Sequence, residues 1–358
     1  MQTLRIDSRS PYRTLIGVGG IGTGCFFALE GEQTLGRNES RPGRLLDVRD
    51  YCKLHIISHY VSKLLGAGKS DFQVFPIGRV GADAPGRQVM EEMAGVGMDT
   101  QFVHSSEGKP TLFSVCFQYP DGCGGNITTS NSAAAEVCEA DVDAAREILV
   151  SQGKTAIALA APEVPLEARR RLLDRATETR AFRVASFVAS EITAAREMGM
   201  FERLDLVSLN ESEASQLVGH PFSPEATENF VRSCQDFVRK RLPKLQMVLS
   251  VGSLGAYGIS SDVWNFCPAP KVNVASTAGA GDALLGGILT GFAAGLPLLK
   301  SDKREGVVET ALDIGVLLGS YKCQSPHTIH PDADFAALLS FAGMHGLKLG
   351  SGLEELLS

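Results

Sequence analysis

The 358-residue sequence predicts a doubly wound α/β fold, a mostly parallel sheet flanked by helices, and three observations point to it. From residue 141 onward the periodicity alternates: 141–152 reads as a helix, 155–159 as a strand, 165–179 as a helix, and 182–186 and 203–209 as strands. Earlier in the chain, Leu15-Ile16 and Phe72–Ile77 read as buried strands that run into glycine-rich turns. Later, Ser276-Thr277-Ala278-Gly279-Ala280-Gly281-Asp282 leads without a break into a helix whose Leu284, Leu285, Ile288, Leu289 and Phe292 share one face. In a sheet of this kind ligands gather at the carboxyl ends of the strands.

Composition narrows the class. The chain is 44% hydrophobic and 21% charged, ordinary for a soluble protein, and long enough for one large domain spanning 1–358. A formal charge of −7 and a pI near 5.6 argue against nucleic-acid or anionic-membrane partners. Eight scattered cysteines without a Cys-x-x-Cys pair read as reduced structural thiols, not a disulfide framework or zinc site. Met1–Asp7 lacks an apolar signal-peptide core, and the most apolar run, Leu284–Leu299, is broken by Thr290, glycines and Pro297. A cytoplasmic protein without membrane partners is the expectation.

Taken in order, the first strand opens Gly17-Val18-Gly19-Gly20-Ile21-Gly22, which has the Gly-x-Gly-x-x-Gly spacing of a dinucleotide site. Thr23–Leu29, however, is rich in β-formers and opens no helix, and Glu39 sits in a loop-like stretch. An NAD-dependent oxidoreductase would rest on that string alone. Residues 50–65 read as a helix with Cys52, Ile56, Tyr60 and Leu64 on one stripe. His55 and His59 lie at i, i+4, but with no carboxylate or third ligand nearby they read as helix-surface histidines. Asp83, in Gly78–Gly86, is placed to cap a helix carrying Val89 and Met93. Thr111–Gln118 and Asn126–Thr129 form a hairpin turned by Pro120-Asp121-Gly122.

Asn210 and Glu213 lie one helical turn apart after a strand, a spacing that suits either a capping box or a magnesium site. Gln246–Ala256 reads as strand, tight turn, strand, with Ser250, Gly252 and Gly255 about the turn. Residues 302–320 and 332–342 read as packing helices, joined by a loop that carries His327 and His330.

The Ser276–Asp282 stretch holds the clearest chemistry. Gly279 and Gly281 let the amides of a helix N-terminus approach an anion, where the helix dipole adds positive charge. Asp282 either complements that dipole or, beside a bound phosphate, accepts the proton of an attacking hydroxyl.

The stretch resembles the second signature of the ribokinase-like (PfkB) family of carbohydrate kinases, Asp-Thr-x-Gly-Ala-Gly-Asp. It matches at Thr277, Gly279, Ala280, Gly281 and Asp282, with Ser276 in place of the first Asp. Gly78–Gly86 is similar to the first signature, Asn210–Glu213 to Asn-x-x-Glu, and Val248–Gly255 to Val-Thr-Leu-Gly-x-x-Gly with Ser250 for Thr. The resemblance, which runs from about residue 14 to 342, implies a ribokinase-like sheet with a small β-strand lid near 25–49 and 109–130. It implies an ATP-dependent phosphotransferase that moves the γ-phosphoryl group to a hydroxyl of a sugar or sugar-like molecule. Asp282 would be the base, and the amides of Gly279, Ala280 and Gly281 would hold the phosphoryl group. Asn210 and Glu213 would position Mg²⁺ through water, while Ser250, Gly252, Gly255 and Thr277 would line the nucleotide cleft, its adenine end bordered by 321–330. Many relatives dimerise through their lids, so a homodimer is a further expectation.

The substrate side departs from the family. Only Thr23 and Gly24 stand where relatives carry an Asp, Lys53–His59 replaces a Gly-Gly and Asn segment, and Ser186–Glu191 replaces Asp-x-Asn-x-Arg. A nucleoside-type acceptor, or a ligand-binding descendant with weak catalysis, therefore stands as an alternative. Relatives use the Asp at position 276 to help bind a monovalent cation; a neutral Ser there predicts little or no potassium activation.

Overall fold

The structure, a computed structural model, describes residues 3–7, 10–120 and 124–357. Short runs of aliphatic residues form its strands: β1 (Thr14–Val18), β2 (Gly22–Leu29), β3 (Gly43–Tyr51), β4 (Gln73–Gly81), β5 (Val103–Ser106), β6 (Leu112–Gln118) and β7 (Gly124–Thr128). There follow β8 (Ala156–Ala160), β9 (Phe182–Ser186), β10 (Leu206–Asn210), β11 (Gln246–Ser250), β12 (Gly255–Ile259) and β13 (Trp264–Pro268). The main sheet has nine strands in the order β13-β12-β11-β10-β9-β8-β1-β4-β5. From β11 to β5 every pairing is parallel, and β12 and β13 add an antiparallel edge.

β1 and β8 are buried along their whole length, as strands covered on both faces must be. Alternate residues serve opposite layers. Leu15, Ile157 and Leu159 pack with helices Lys53–Leu65, Ala280–Ala294 and Ala311–Lys322. Ile16, Val18 and Ala158 pack with helix Leu166–Thr179 on the other face. Strand order turns back between β1 and β8, which opens a crevice at their carboxyl ends.

A second sheet, β3-β2-β6-β7, is built from the segments expected to form a lid. Its β2 continues directly from β1, so the Gly17–Gly22 string joins strand to strand and opens no helix. The backbone geometry that would set a pyrophosphate on a helix N-terminus is missing there, and the dinucleotide reading fails.

Several boundaries differ from expectation. The helix read as 50–65 begins at Lys53, because Asp50 and Tyr51 still pair with Gly24 and Thr23 in the lid sheet. The helix read as 141–152 is two, Glu139–Ala144 and Arg146–Gln152, parted at Ala145. The strand read as 203–209 starts at Leu206, after a 3₁₀ turn over Phe201–Arg203. The helix read from 302 starts only at Ala311, where Thr310 and Asp313 form a capping box. Asp121 and Gly122 of the expected hairpin turn lie outside the described residues. All seven described cysteines are free, and among the described residues no helix is long and apolar enough to cross a membrane.

Candidate active site

The helix Ala280–Ala294 starts at the sequence-predicted anion loop. Its N-cap, Gly279, takes a left-handed conformation (φ 79°), and a Cβ there would sit 2.6 Å from the Thr328 carbonyl oxygen, so only glycine fits. A Cβ on Gly281 would meet nothing within 4 Å, which leaves open space over that amide. The loop fastens itself internally: Ala278 N–H donates to Ser276 Oγ (3.2 Å) and Ala280 N–H to the Thr277 carbonyl (3.1 Å). Of the three amides expected to hold a phosphoryl group, that of Ala280 is thus engaged within the loop. Those of Gly279 and Gly281 have no acceptor among the described residues.

Asp282 stands in the first helical turn, its carboxylate 3.8 Å from Lys53 Nζ. Lys53 is the first residue of its own helix, delivered to the crevice by the return of β3. Burial pushes the Asp282 carboxyl up, while Lys53 and Lys322 pull it down. Lys53 in turn is held well above the usual lysine range, chiefly by Asp282. The result is a carboxylate more basic than a free one, beside a permanent cation.

Two carboxylates that sequence reasoning missed converge on the same crevice. Glu163, past the end of β8, accepts the Lys53 backbone N–H (3.0 Å) and so caps that helix from across the cleft. It does this from a left-handed backbone (φ 74°) that is unusual for a residue with a side chain. Its carboxyl is raised by burial, against the pull of Lys53. Asp50, on β3, is 4% exposed and accepts from Ser114 Oγ (2.6 Å) and Cys116 Sγ (3.6 Å) of β6. A Cβ on Gly24, its cross-strand partner, would lie 2.3 Å from that carboxylate, so Gly24 makes room for Asp50. Burial raises the Asp50 carboxyl as well. The sequence signals were faint: a Glu bracketed by Pro162 and Pro165, and an Asp that looked like a helix start.

On the other flank, β10 and β11 are in register with Asn210 opposite Ser250. Asn210 Oδ1 accepts Glu213 N–H (2.9 Å) and the Glu213 carboxylate accepts Asn210 N–H (2.8 Å), a reciprocal capping box. Burial raises the Glu213 carboxyl, opposed by that bond and by Lys53. Gly252 and Gly255 take positive φ (56° and 129°) in the turn beyond Ser250. Among the described residues no group of three or more His, Cys, Asp or Glu could cage a metal. Asp83 of the first signature-like stretch serves the fold: it accepts from Gly86 N–H (2.9 Å) and Thr111 N–H (2.8 Å).

The histidines need correction. His55 is 1% exposed, its ring 4.5 Å from that of Tyr51, and neither ring nitrogen has a protein partner among the described residues. It is a core residue, packed between the rings of Tyr51 and His59, while His59 itself is only half-buried. In the loop after Lys322, His327 Nδ1 accepts Arg49 N–H (3.0 Å) and Thr328 Oγ1 accepts Tyr51 N–H (3.0 Å), tying the root of the lid to the loop that backs Gly279. His330 stacks on Tyr321, with ring centroids 4.4 Å apart.

Comparison with known proteins bears on this geometry. A family model described as pfkB family carbohydrate kinase matches residues 58–334. A stretch of 110 residues is 31% identical to 1-phosphofructokinase of Haemophilus influenzae (strain ATCC 51907 / DSM 11121 / KW20 / Rd), covering 30% of this chain and 34%, about a third, of that relative. Ribokinase from Cryptococcus neoformans var. grubii serotype A in complex with ADP superposes with a TM-score of 0.73 at 17% identity, over 92% of this chain and 99% of that one. Ribokinase of Arabidopsis thaliana complexed with ribose and ATP gives 0.66 at 18% identity, again over 92% and 99%. The nucleoside kinase of Burkholderia thailandensis in complex with inosine gives 0.69 at 16%, over 94% and 99%. At such identities the likeness speaks for the fold alone.

Proposed function

The chain belongs to the pfkB family of carbohydrate kinases, and from that premise we propose that it transfers the γ-phosphoryl group of ATP to a hydroxyl of a sugar or sugar-like small molecule. The observation that carries this reading is Asp282 in the first turn of a helix whose Gly279 and Gly281 amides are free, with Lys53 Nζ 3.8 Å from its carboxylate. In the reaction the acceptor oxygen bonds to the γ-phosphorus while the bond to the β,γ-bridging oxygen breaks and ADP leaves. The hydroxyl proton passes to Asp282. The two free amides hold the phosphoryl oxygens as charge develops on them, and Lys53 offsets the repulsion between Asp282 and the phosphates.

Ser250, Gly252, Gly255 and Thr277 line the nucleotide side, and the ribokinases of matching fold that hold ADP or ATP support that nucleotide as donor. Glu213, kept in place by Asn210, would hold Mg²⁺ through its waters. Bound Mg²⁺ supplies neutralisation of the phosphate charge. Asp50 and Glu163 accept hydrogen bonds from acceptor hydroxyls, which suits a polyhydroxy compound. A nucleoside would meet them with its ribose, and the inosine-bound nucleoside kinase of the same fold keeps that class in the test.

ADP release from Mg²⁺-ATP, measured against sugars, sugar acids, polyols and nucleosides beside Asp282→Asn, decides the matter. The expected result is turnover with at least one acceptor and a kcat loss of roughly 10²-fold or more in the variant, which keeps its fold. Near-normal turnover by Asp282→Asn would remove the proposed base.

A further inference from the structure

The helix Ala311–Lys322 ends beneath the Ser276–Asp282 loop, and its last residue is a lysine with no exposed surface. A lysine in the last turn of a helix ordinarily reaches into water, where it complements the dipole. Lys322 turns inward. Its Nζ donates to the Ser276 carbonyl oxygen (2.9 Å), and among the described residues no carboxylate forms an ion pair with it. Ala275 and Ser276 N–H both donate to the Cys323 carbonyl (2.8 and 3.3 Å), so the chain entering the loop is fastened to the same helix end.

A buried ammonium with a single neutral oxygen partner is costly, and an apolar side chain of similar volume would pack more cheaply. Burial accordingly pulls the Lys322 ammonium down to about 8, with Cys323, Asp50 and Asp282 as the charges that oppose the shift. A charge held at such cost next to a reaction centre calls for a role.

Peptide geometry supplies one. In a trans peptide the C=O and the following N–H point in opposite directions. The Ser276 carbonyl is aimed at Lys322, so the Thr277 N–H points away from that helix, and it has no acceptor among the described residues. The ammonium polarises the same peptide and makes its N–H a stronger donor.

We propose that Lys322 is a built-in monovalent cation for the anion loop. It fixes the Ser276–Thr277 peptide with its N–H outward and sets a positive charge behind the transferred phosphoryl group. Lys322 does not touch substrate; it is a positioning residue that acts through the loop. The inference rests on the kinase reading above. It accounts for a neutral residue at position 276: with an ammonium in place, the loop needs no carboxylate to recruit potassium.

The test is steady-state phosphoryl transfer by wild type, Lys322→Met and Lys322→Ala in choline, sodium and potassium chloride and with added propylammonium. Wild type is expected to turn over equally in potassium and in choline. Lys322→Met, which fills the same space without charge, loses roughly 10²-fold in kcat with little change in acceptor KM. Lys322→Ala is equally slow in choline but regains about tenfold or more when potassium or propylammonium enters the vacated space, and gains nothing from tetramethylammonium. Steep potassium activation of wild type, wild-type kcat in a folded Lys322→Met, or a Lys322→Ala deaf to every added cation would each overturn the proposal. Should both variants fail to fold, the cation profile of wild type still decides. If wild type transfers phosphate to no acceptor, the kinase reading fails, and Lys322 is judged by binding alone. The expected result is then an ATP Kd about tenfold weaker in Lys322→Met with adenosine binding unchanged. An unchanged ATP Kd overturns the proposal.

Discussion

Glu163 shows how much one residue is asked to do. A left-handed backbone at a non-glycine position costs on the order of 1 kcal/mol or more, and this one (φ 74°) is held where its carboxylate meets the Lys53 amide. Capping explains the acceptor but not the charge, since a neutral oxygen caps as well. Glu163→Gln keeps an oxygen for the cap, so its Tm is expected to stay within about 2 °C of wild type. Its acceptor KM is expected to rise roughly 10- to 100-fold, because hydrogen bonds to a charged group are the strong ones. Glu163→Ala loses the cap too and is expected to be less stable by about 1 kcal/mol. An unchanged KM in Glu163→Gln would place the acceptor elsewhere. Residues of this kind were hard to read in the sequence. Thr277, Gly279, Gly281 and Asp282 stood out as candidates because the loop and the helix it opens are continuous in the chain. Asp50 and Lys53 lie close together where β3 runs into the next helix, but Glu163 comes from a distant segment, and only the return of β3 to the crevice brings them together.

At the scale of elements, the site depends on how closely helices Ala280–Ala294 and Ala311–Lys322 approach. They run antiparallel, with Gly287 against Gly315 and Gly291 against Ala311. A Cβ on Gly287 would lie 2.8 Å from Gly315 Cα and 2.9 Å from the Ile314 carbonyl oxygen, both backbone atoms that cannot step aside. Gly287→Ala is therefore expected to cost about 1–3 kcal/mol in urea unfolding, despite the better helix propensity of alanine. Gly343, in helix Phe335–Met344, has nothing within 4 Å of such a Cβ and no positive φ. Gly343→Ala should stabilise by about 0.5–1 kcal/mol, the opposite sign. If both variants shift the same way, helix spacing is not what Gly287 serves. Sequence pattern cannot tell these two glycines apart, since both sit among apolar residues at helical spacing. The late start of the helix at Ala311 was hidden for a related reason. Lys300 and Arg304 pair with Glu309, and Lys303 with Asp313, each at 3.0 Å, so charges that look like an exposed helical face instead hold a turn.

For the whole molecule, the alternating periods after residue 141 made the sheet and its layers legible, and the lid followed from family resemblance; how the two sheets join was not. The joint is Gly19–Ile21 on one side and Cys52–Lys53 on the other, and the helix that follows it carries His55, buried, and His59, half-buried. These make global stability depend on pH. Burial holds His55 down to about 3 and His59 to about 4, from an ordinary 6.5, with His59 and Lys63 respectively adding to the effect. Below pH 6.5 the unfolded chain takes up protons that the folded one refuses. The stability owed to burying neutral rings is therefore complete above 6.5 and is lost as pH falls toward about 4 for His59 and about 3 for His55. The raised carboxyls of Asp50, Asp282, Glu163 and Glu213 act in the opposite sense, binding protons more tightly when folded and so favouring the fold at lower pH. Urea unfolding at pH 7.5 and 5.5 should show a loss of about 1 kcal/mol per buried histidine, before the carboxyls intervene. In His55→Gln/His59→Gln that slope should flatten even if the variant is less stable overall, because a uniform loss moves both pH values equally. A loss toward pH 5.5 that survives the double substitution would show that the histidines are not its source, and the raised carboxyls, which act in the opposite sense, could not account for it either.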